Sequence, residues 1–119
     1  MNLAVKRGGK RLSAKLRVVN RQGMHLRAAG EIVKLTTKFK AAVELSYRGQ
    51  AVNGKSLMGV MSLAVPPRGS FTAKARGADA AQLLRALSEL VADGFGEDRG
   101  AEDAERDADI SGDSRRPGL

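Results

Sequence analysis

Stretches of alternating apolar and polar residues, separated by helical stripes, constrain the fold of this chain more than any other feature. Apolar side chains occupy every second position over about residues 12–19, over 41–48 and again from Phe71. This is the period of a strand with one buried face. The tight turn Arg48-Gly49-Gln50 leads into residues 51–52, which predict a short partner strand.

Helices are predicted between and after these strands. Two stripes at helical spacing are formed by Ala28, Ile32, Leu35 and Phe39 and by Leu83, Leu87 and Leu90. Asp79 is positioned as the N-cap of the helix that contains the Leu83 stripe. The unbroken apolar run over 57–63 predicts a further, short helix. The order is therefore strand, helix, two strands, short helix, strand and long helix. It predicts an α+β fold, in which helices cover one side of a four-stranded sheet.

Charge separates a basic body from an acidic tail. Residues 1–96 carry 17 Lys and Arg against 5 Asp and Glu, whereas residues 97–119 carry 4 against 8. We expect a basic N-terminal arm over 1–11, one domain over 12–94 and a disordered charged tail over 95–119. A basic body suits polyanions or acidic proteins equally. Only four aromatic residues are available to stack on bases, so we expect no nucleic-acid binding.

Other classes of site are excluded by composition. The chain has no cysteine and one histidine, so neither a thiolate metal site nor a histidine cluster can form, and we expect no metal and no cofactor. No apolar run is long enough for a secretory signal or a membrane span. The expected location is the cytoplasm, without membrane insertion.

His25 is the candidate for chemistry. It lies where the first strand gives way to the first helix, and unpaired N–H groups and the helix dipole at such a start favour negative charge. Imidazole offers a neutral nitrogen nucleophile, and Arg27 adds a planar cation for phosphate oxygens. From spacing alone, an ordinary polar residue at a helix start is the favoured interpretation of His25.

Two segments resemble a known family. Residues 23–29, GMHLRAA, resemble the active-site signature G-[LIM]-H-x-R-[PA]-A of HPr, the histidine-containing phosphocarrier protein of the bacterial phosphoenolpyruvate-dependent phosphotransferase system. Residues 51–63, AVNGKSLMGVMSL, resemble its second signature, around a regulatory serine. The resemblance spans residues 13–94. It implies an open-faced β-sandwich, with a four-stranded antiparallel sheet and three helices on one face.

The resemblance also implies a function. His25 is then the residue that accepts a phosphoryl group from enzyme I and hands it to an EIIA-type protein, with Arg27 stabilising the phosphate. The chain is expected to be a monomeric carrier rather than a free-standing enzyme. Asn20 together with Ala28, where many members have proline, is closer to the nitrogen-regulatory branch of the family. Sugar transport and nitrogen regulation both stay open.

The second signature implies regulation and docking. Ser56 matches the regulatory serine, which a dedicated HPr kinase/phosphorylase modifies in the family, and its position also predicts a helix N-cap. The residues expected to contact partner proteins are Met24, Leu57, Met58 and Met61.

Two alternative functions remain. Residues 49–56 read G-x-x-x-x-G-K-S, the pattern of a P-loop nucleotide hydrolase, although no strand ending in a magnesium-binding Asp follows. The other alternative is a regulatory HPr relative that keeps the fold and binds partners without being phosphorylated.

Overall fold

The computed structural model describes the backbone of residues 4–6 and 9–96 and the side chains of residues 11–96. Its elements in chain order are β1 (Ala4–Lys6), β2 (Gly9–Arg17), α1 (Leu26–Thr36), β3 (Ala42–Tyr47), β4 (Gln50–Asn53), α2 (Leu57–Leu63), β5 (Ser70–Arg76) and α3 (Ala80–Ala92). A turn over Gly94–Gly96 follows α3.

The strands form one antiparallel sheet in the order β1-β2-β5-β3-β4. The four predicted strands are β2, β3, β4 and β5, so the predicted open sheet is confirmed. The additional strand β1 lies within the segment 1–11 and pairs with the start of β2, with Ala4 opposite Arg11. The first predicted strand accordingly begins at Gly9 rather than Leu12 and ends at Arg17 rather than Val19.

All three helices cover the same face of the sheet. Helix α3 packs on β2 and β5, α2 packs on β3 and β4, and α1 contacts both other helices. Alternate residues of the strands point into this layer, and the largest fully buried side chains include Phe71, Leu45, Ile32, Leu83 and Leu87. The three-helix, open-faced arrangement implied by the resemblance is therefore confirmed.

The β3–β4 hairpin has the predicted tight turn, but its second strand is Gln50–Asn53 rather than residues 51–52. Tyr47 pairs with Gln50, which leaves Arg48 and Gly49 as a two-residue loop. Both have positive φ, 51° and 84°, as the turn that matches the twist of two antiparallel strands requires. Short loops of this type fix strand register.

Two details of α3 differ from the sequence prediction. Asp79 occupies the N-cap position, but its carboxylate makes no cap hydrogen bond. Its oxygens instead accept the backbone N–H groups of Lys40 and Ala41 at 2.9 and 2.8 Å, joining α3 to the segment before β3. Leu90 is only half-buried, whereas Val91 is buried and continues the stripe of Leu83 and Leu87.

The packed unit extends to the end of the described residues. Phe95, placed by the sequence prediction in the tail, is buried at 4% exposure. The rest of the predicted tail, residues 97–119, lies outside the described residues. Within the part of the chain that is described, no helix has the length and apolar character needed to cross a bilayer.

Candidate functional site

His25 is the N-cap residue of α1. Its backbone is extended, with φ −98° and ψ −176°, and its carbonyl accepts the first intrahelical bond from the Ala29 N–H at 2.8 Å. The imidazole Nδ1 accepts a hydrogen bond from the backbone N–H of Arg27 at 3.2 Å. The ring is half-buried. The structure thus places the imidazole at the first turn of α1.

The hydrogen bond at Nδ1 assigns the tautomer. A nitrogen that accepts a hydrogen bond presents its lone pair, so the proton of the neutral ring lies on Nε2. Nδ1 is therefore the ring nitrogen that could act as a nucleophile, and it faces the backbone N–H of Arg27 in the first turn. A group bonded to Nδ1 lies where the partial positive charge of the helix is greatest.

The charges of this turn suit an anion. The first turn of α1 has no acidic residue, and the Arg27 side chain is exposed. A cation at the N-terminal end of a helix opposes the dipole, at a cost of about 0.3–1 kcal/mol. Helix stability therefore does not explain the presence of arginine here, and its guanidinium could bind an anionic oxygen at this helix end.

A short network of hydrogen bonds fixes the backbone of the turn that carries His25. The Gly23 carbonyl accepts the His25 N–H at 3.0 Å and also the side-chain Nδ2 of buried Asn20 at 2.8 Å. The Met24 N–H donates to the Val65 carbonyl at 2.9 Å, which joins this turn to the segment after α2. Sequence reasoning missed the supporting role of Asn20. An asparagine in a polar turn ahead of a glycine is the signal for it.

Ser56 is the N-cap of α2, as its position predicts. Its Oγ accepts the Gly59 N–H at 3.1 Å. The start of α2 lies against the far end of α1, because Thr36 Oγ1 donates to the Gly54 carbonyl and Lys55 Nζ to the Phe39 carbonyl, each at 2.8 Å. His25 and Ser56 are therefore at opposite ends of α1, whose length is about 16 Å.

Exposed apolar side chains occur on α2 and around His25. The fractional exposures are 39% for Leu57, 79% for Met58, 59% for Leu26 and 53% for Val19. Sequence reasoning missed Leu26, which follows His25 and falls off the buried stripe of α1, and Val19, which follows β2 and points outward. Single exposed apolar residues are common on protein surfaces, whereas a contiguous apolar patch marks a surface that contacts other molecules.

The two remaining methionines are less accessible. Met61 is half-buried against the core. Met24 is 5% exposed and belongs to the core, so its expected role in direct partner contact is wrong. The reason is the turn conformation: the neighbouring Gly23 has φ +69°, and the Met24 N–H is bonded to Val65, which turns the side chain inward while His25 stays at the surface.

The P-loop pattern at residues 49–56 does not form a P-loop. That motif needs a loop whose N–H groups surround the phosphates, but Gln50–Asn53 is strand β4, paired with β3. The Lys55 ammonium is bonded to the Phe39 carbonyl, away from any phosphate-binding backbone. The structure therefore excludes the nucleotide-hydrolase alternative.

The sequence of this chain is similar to that of a known protein family. The family model described as "PTS HPr component phosphorylation site" matches residues 12–93. The chain is 39% identical over 87 residues to phosphocarrier protein HPr of Xylella fastidiosa, covering 73% of this chain and 98% of that protein. It is 35% identical over 86 residues to phosphocarrier protein HPr of Neisseria meningitidis, covering 72% and 97%.

Solved structures agree. HPr-C-His from Thermoanaerobacter tengcongensis superposes with a TM-score of 0.68 at 31% identity, over 71% of this chain and 94% of that one. The phosphocarrier protein HPr from Bacillus anthracis superposes with a TM-score of 0.66 at 32% identity, over 68% and 96%. The family-model match over residues 12–93 includes His25, Arg27 and Ser56 but not strand β1.

Proposed function

The chain belongs to the HPr family of the phosphotransferase system, and from this premise we propose that it accepts a phosphoryl group from enzyme I on Nδ1 of His25 and passes it to an EIIA-type protein. One observation carries the proposal: Nδ1 faces the Arg27 N–H at the start of α1, at a helix end with no acidic side chain.

The transfer needs no metal or cofactor from this chain. The Nδ1 lone pair of His25 attacks phosphorus and forms the N–P bond, while the bond from phosphorus to the donor atom of enzyme I breaks and leaves its electron pair on that donor. The Nε2 proton stays on the ring. The backbone N–H of Arg27 donates a hydrogen bond to Nδ1 before transfer. After transfer it can donate to a phosphoryl oxygen instead. Transfer to the acceptor runs the same steps in reverse.

Arg27 is the proposed stabiliser of the transferred group. Arg27 is exposed and lies two residues after His25 in the sequence. Its planar guanidinium has paired N–H donors that match two phosphoryl oxygens. In the transition state of phosphoryl transfer, negative charge spreads over the three equatorial oxygens. A fixed cation beside them therefore stabilises the transition state. Because the chain supplies only this half of the site, it turns over only with partner proteins.

The proposed docking surface consists of Val19, Leu26, Leu57 and Met58, with Met61 at its half-buried edge. Helices α1 and α2 contact each other, which makes their exposed apolar side chains parts of one region of the surface. We propose that enzyme I and the EIIA-type acceptor both bind here, as a monomeric carrier that meets two partners in turn requires.

Ser56 is the proposed regulatory site. Its hydroxyl already accepts a helix N–H, and a phosphoryl group at a helix start is favoured by the dipole, so phosphorylation leaves α2 folded. The modification places about two negative charges beside exposed Leu57 and Met58. With His25 at the other end of α1, we expect the effect to act on docking rather than on the ring.

The decisive experiment is incubation with enzyme I and labelled phosphoenolpyruvate. The expected product carries one acid-labile phosphate that is absent from folded His25→Ala, and NMR of the ¹⁵N-labelled ring places it on Nδ1. Addition of EIIA-type protein is expected to remove the label. A folded chain that takes no phosphate would instead be the regulatory HPr relative and would overturn the carrier proposal.

For Ser56, the test uses the cognate HPr kinase/phosphorylase. The expected product is an acid-stable phosphate that is absent from Ser56→Ala. Ser56→Asp is expected to raise the KM for enzyme I while the maximal transfer rate changes little. Equal KM values in the wild type and in Ser56→Asp would argue against a regulatory role.

A further inference from the structure

The sheet face opposite the helices is strongly basic. Outward positions of β2 and β5 hold five exposed cations, which we call the basic face: Arg11, Lys15, Arg17, Lys74 and Arg76. Arg11 and Arg76 are direct cross-strand partners. Glu44 of β3, opposite Lys74, is the single acidic residue at an outward position of β2 to β5.

Glu44 offsets at most one of these five charges, so the described residues leave the face with a net positive charge. None of its five cations forms an ion pair with a described side chain, Glu44 included. Like charges directly opposite each other on one sheet face are destabilising, and the Arg11–Arg76 pair is of that kind. Small Ala42 and Ala51 leave a shallow depression of about 530 Å³ beside these two arginines, open to solvent. The face therefore has both the charge and the room to hold an anionic chain.

The same chain contains a segment of matching charge. Residues 97–109 carry seven Asp and Glu against two Arg. The preceding turn lies beside the end of β2, since a Cβ built on Gly94 would be 3.6 Å from Asn20 Cβ and 3.9 Å from Val19 Cγ2. Val19 and Arg17 are both exposed and separated by one buried residue, so the chain leaves the fold near the end of β2 where the basic face begins.

We propose that the acidic segment 97–109 binds the basic face of its own molecule. The row from Arg17 to Arg11 is about 20 Å long at 3.3 Å per residue. Thirteen extended residues reach about 40 Å, so the segment spans the row. A short tether holds the segment at millimolar effective concentration, which makes weak charge contacts sufficient. Bound there, it shields the face from other acidic macromolecules.

Because the chain has no cysteine, a single introduced cysteine can be labelled selectively in the full-length protein. Ala104→Cys introduces one thiol for a nitroxide label within the acidic segment. At about 20 mM salt, we expect the label to broaden backbone amide signals of β2 and β5, and at about 0.5 M salt the broadening should fall at least threefold because exposed charges are screened.

A matched pair of charge variants identifies the surface. The triple variant Arg11→Gln, Lys74→Gln, Arg76→Gln is expected to lose the broadening. The triple variant Lys34→Gln, Lys38→Gln, Arg85→Gln removes the same charge from exposed positions elsewhere and is expected to keep it. Dependence on the first triple but not on the second supports the proposal.

Three results would overturn it. The first is no broadening above the diamagnetic control, or equal broadening of β2 and the helices. The second is broadening seen only when ¹⁵N-labelled molecules are mixed with separate spin-labelled ones, which assigns the face to a second copy. The third is a change in the amide signals of the basic face on addition of a short DNA duplex, together with no broadening of those signals by the label. That result assigns the face to nucleic acid.

Discussion

The side chain of Asn20 donates to the Gly23 carbonyl at 2.8 Å, and the same carbonyl accepts the backbone N–H of His25 at 3.0 Å. One buried asparagine thus holds the acceptor that fixes the position of the proposed nucleophile. Through the Gly23 carbonyl, Asn20 acts on the backbone that carries His25, so we assign it a positioning role.

We expect Asn20→Ala to impair both folding and transfer. Loss of a buried donor should lower the free energy of unfolding by about 1–3 kcal/mol. The freed Gly23 carbonyl should also let His25 move, which lowers the rate of phosphorylation by enzyme I. Urea unfolding and single-turnover phosphorylation measure the two effects.

Thr36→Val separates stability from positioning. Thr36 Oγ1 donates to the Gly54 carbonyl at 2.8 Å, and it is buried like Asn20 but lies at the other end of α1. Its loss should destabilise the fold by a similar amount while the transfer rate of the folded protein is unchanged. Equal transfer defects in the two variants would show that Asn20 acts through stability alone.

A second prediction concerns Gly23. Its φ is +69°, and a Cβ there would lie 2.8 Å from the Val65 carbonyl oxygen and 2.9 Å from Pro67 Cδ. Gly23→Ala combines left-handed backbone strain with contact against backbone, so we expect a loss of stability of about 1–3 kcal/mol or more and slower phosphorylation of His25.

Gly30→Ala is the matched control. Gly30 lies within α1, its φ is in the ordinary range, and a Cβ there meets nothing within 4 Å. Alanine is the better helix former, so the variant should be more stable by about 0.5–1 kcal/mol. Thermal unfolding that shifts in the same direction for both variants would contradict this interpretation of the turn.

Much of this fold could be predicted because its signals are local. The bounds of α2, the N-terminal position of His25 and a tight turn after Tyr47 all follow from patterns within a few residues, although Gln50, predicted in the turn, is the first residue of β4. Strand β1 could not be predicted, because three residues are too few to show alternation. It is defined by its antiparallel pairing with the start of β2 rather than by a pattern of its own.

Other features escape prediction because they depend on residues far apart in sequence. Asp79 has the residue type and place of an N-cap, but the N–H groups that bind its carboxylate belong to residues 40 and 41. Met24 and His25 are neighbours in the signature, yet one is buried and the other half-exposed. The basic face becomes visible only when β2 and β5 are paired, since Arg11 and Arg76 are 65 residues apart in sequence.

A third prediction concerns Arg27. We expect Arg27→Gln to lower the rate of phosphoryl transfer on the order of 10²-fold, the scale of losing one well-placed donor to developing charge. Stability should stay equal or rise by about 0.3–1 kcal/mol, because a cation is removed from the positive end of α1. Rapid-quench kinetics and urea unfolding give the two values.

Arg27→Lys and Arg85→Gln complete that test. Lysine keeps the charge but loses the paired planar donors, so its transfer rate should fall between the wild type and Arg27→Gln. Arg85 is exposed on α3, and Arg85→Gln should leave transfer unchanged. A full rate in Arg27→Gln would remove Arg27 from the proposed mechanism.

The fourth prediction follows from the pKa of Asp79, which the Lys40 N–H first, and then the Ala41 N–H and the Lys55 charge, hold below the ordinary value of 3.8. A carboxyl whose folded-state pKa is lowered stabilises the fold above its unfolded pKa, about 3.9, and loses this contribution as pH falls through the folded value. Asp79→Asn should therefore lower Tm at pH 6, and the difference from wild type should shrink as pH falls below the unfolded pKa of about 3.9 and disappear once pH is below the lowered folded pKa. Glu89→Gln removes an exposed carboxylate on α3 that accepts no backbone N–H from another described element, so its Tm difference should be small at both pH values. An Asp79→Asn difference that stays constant from pH 6 to pH 2 would mean that charge on Asp79 does not stabilise the link between α3 and β3.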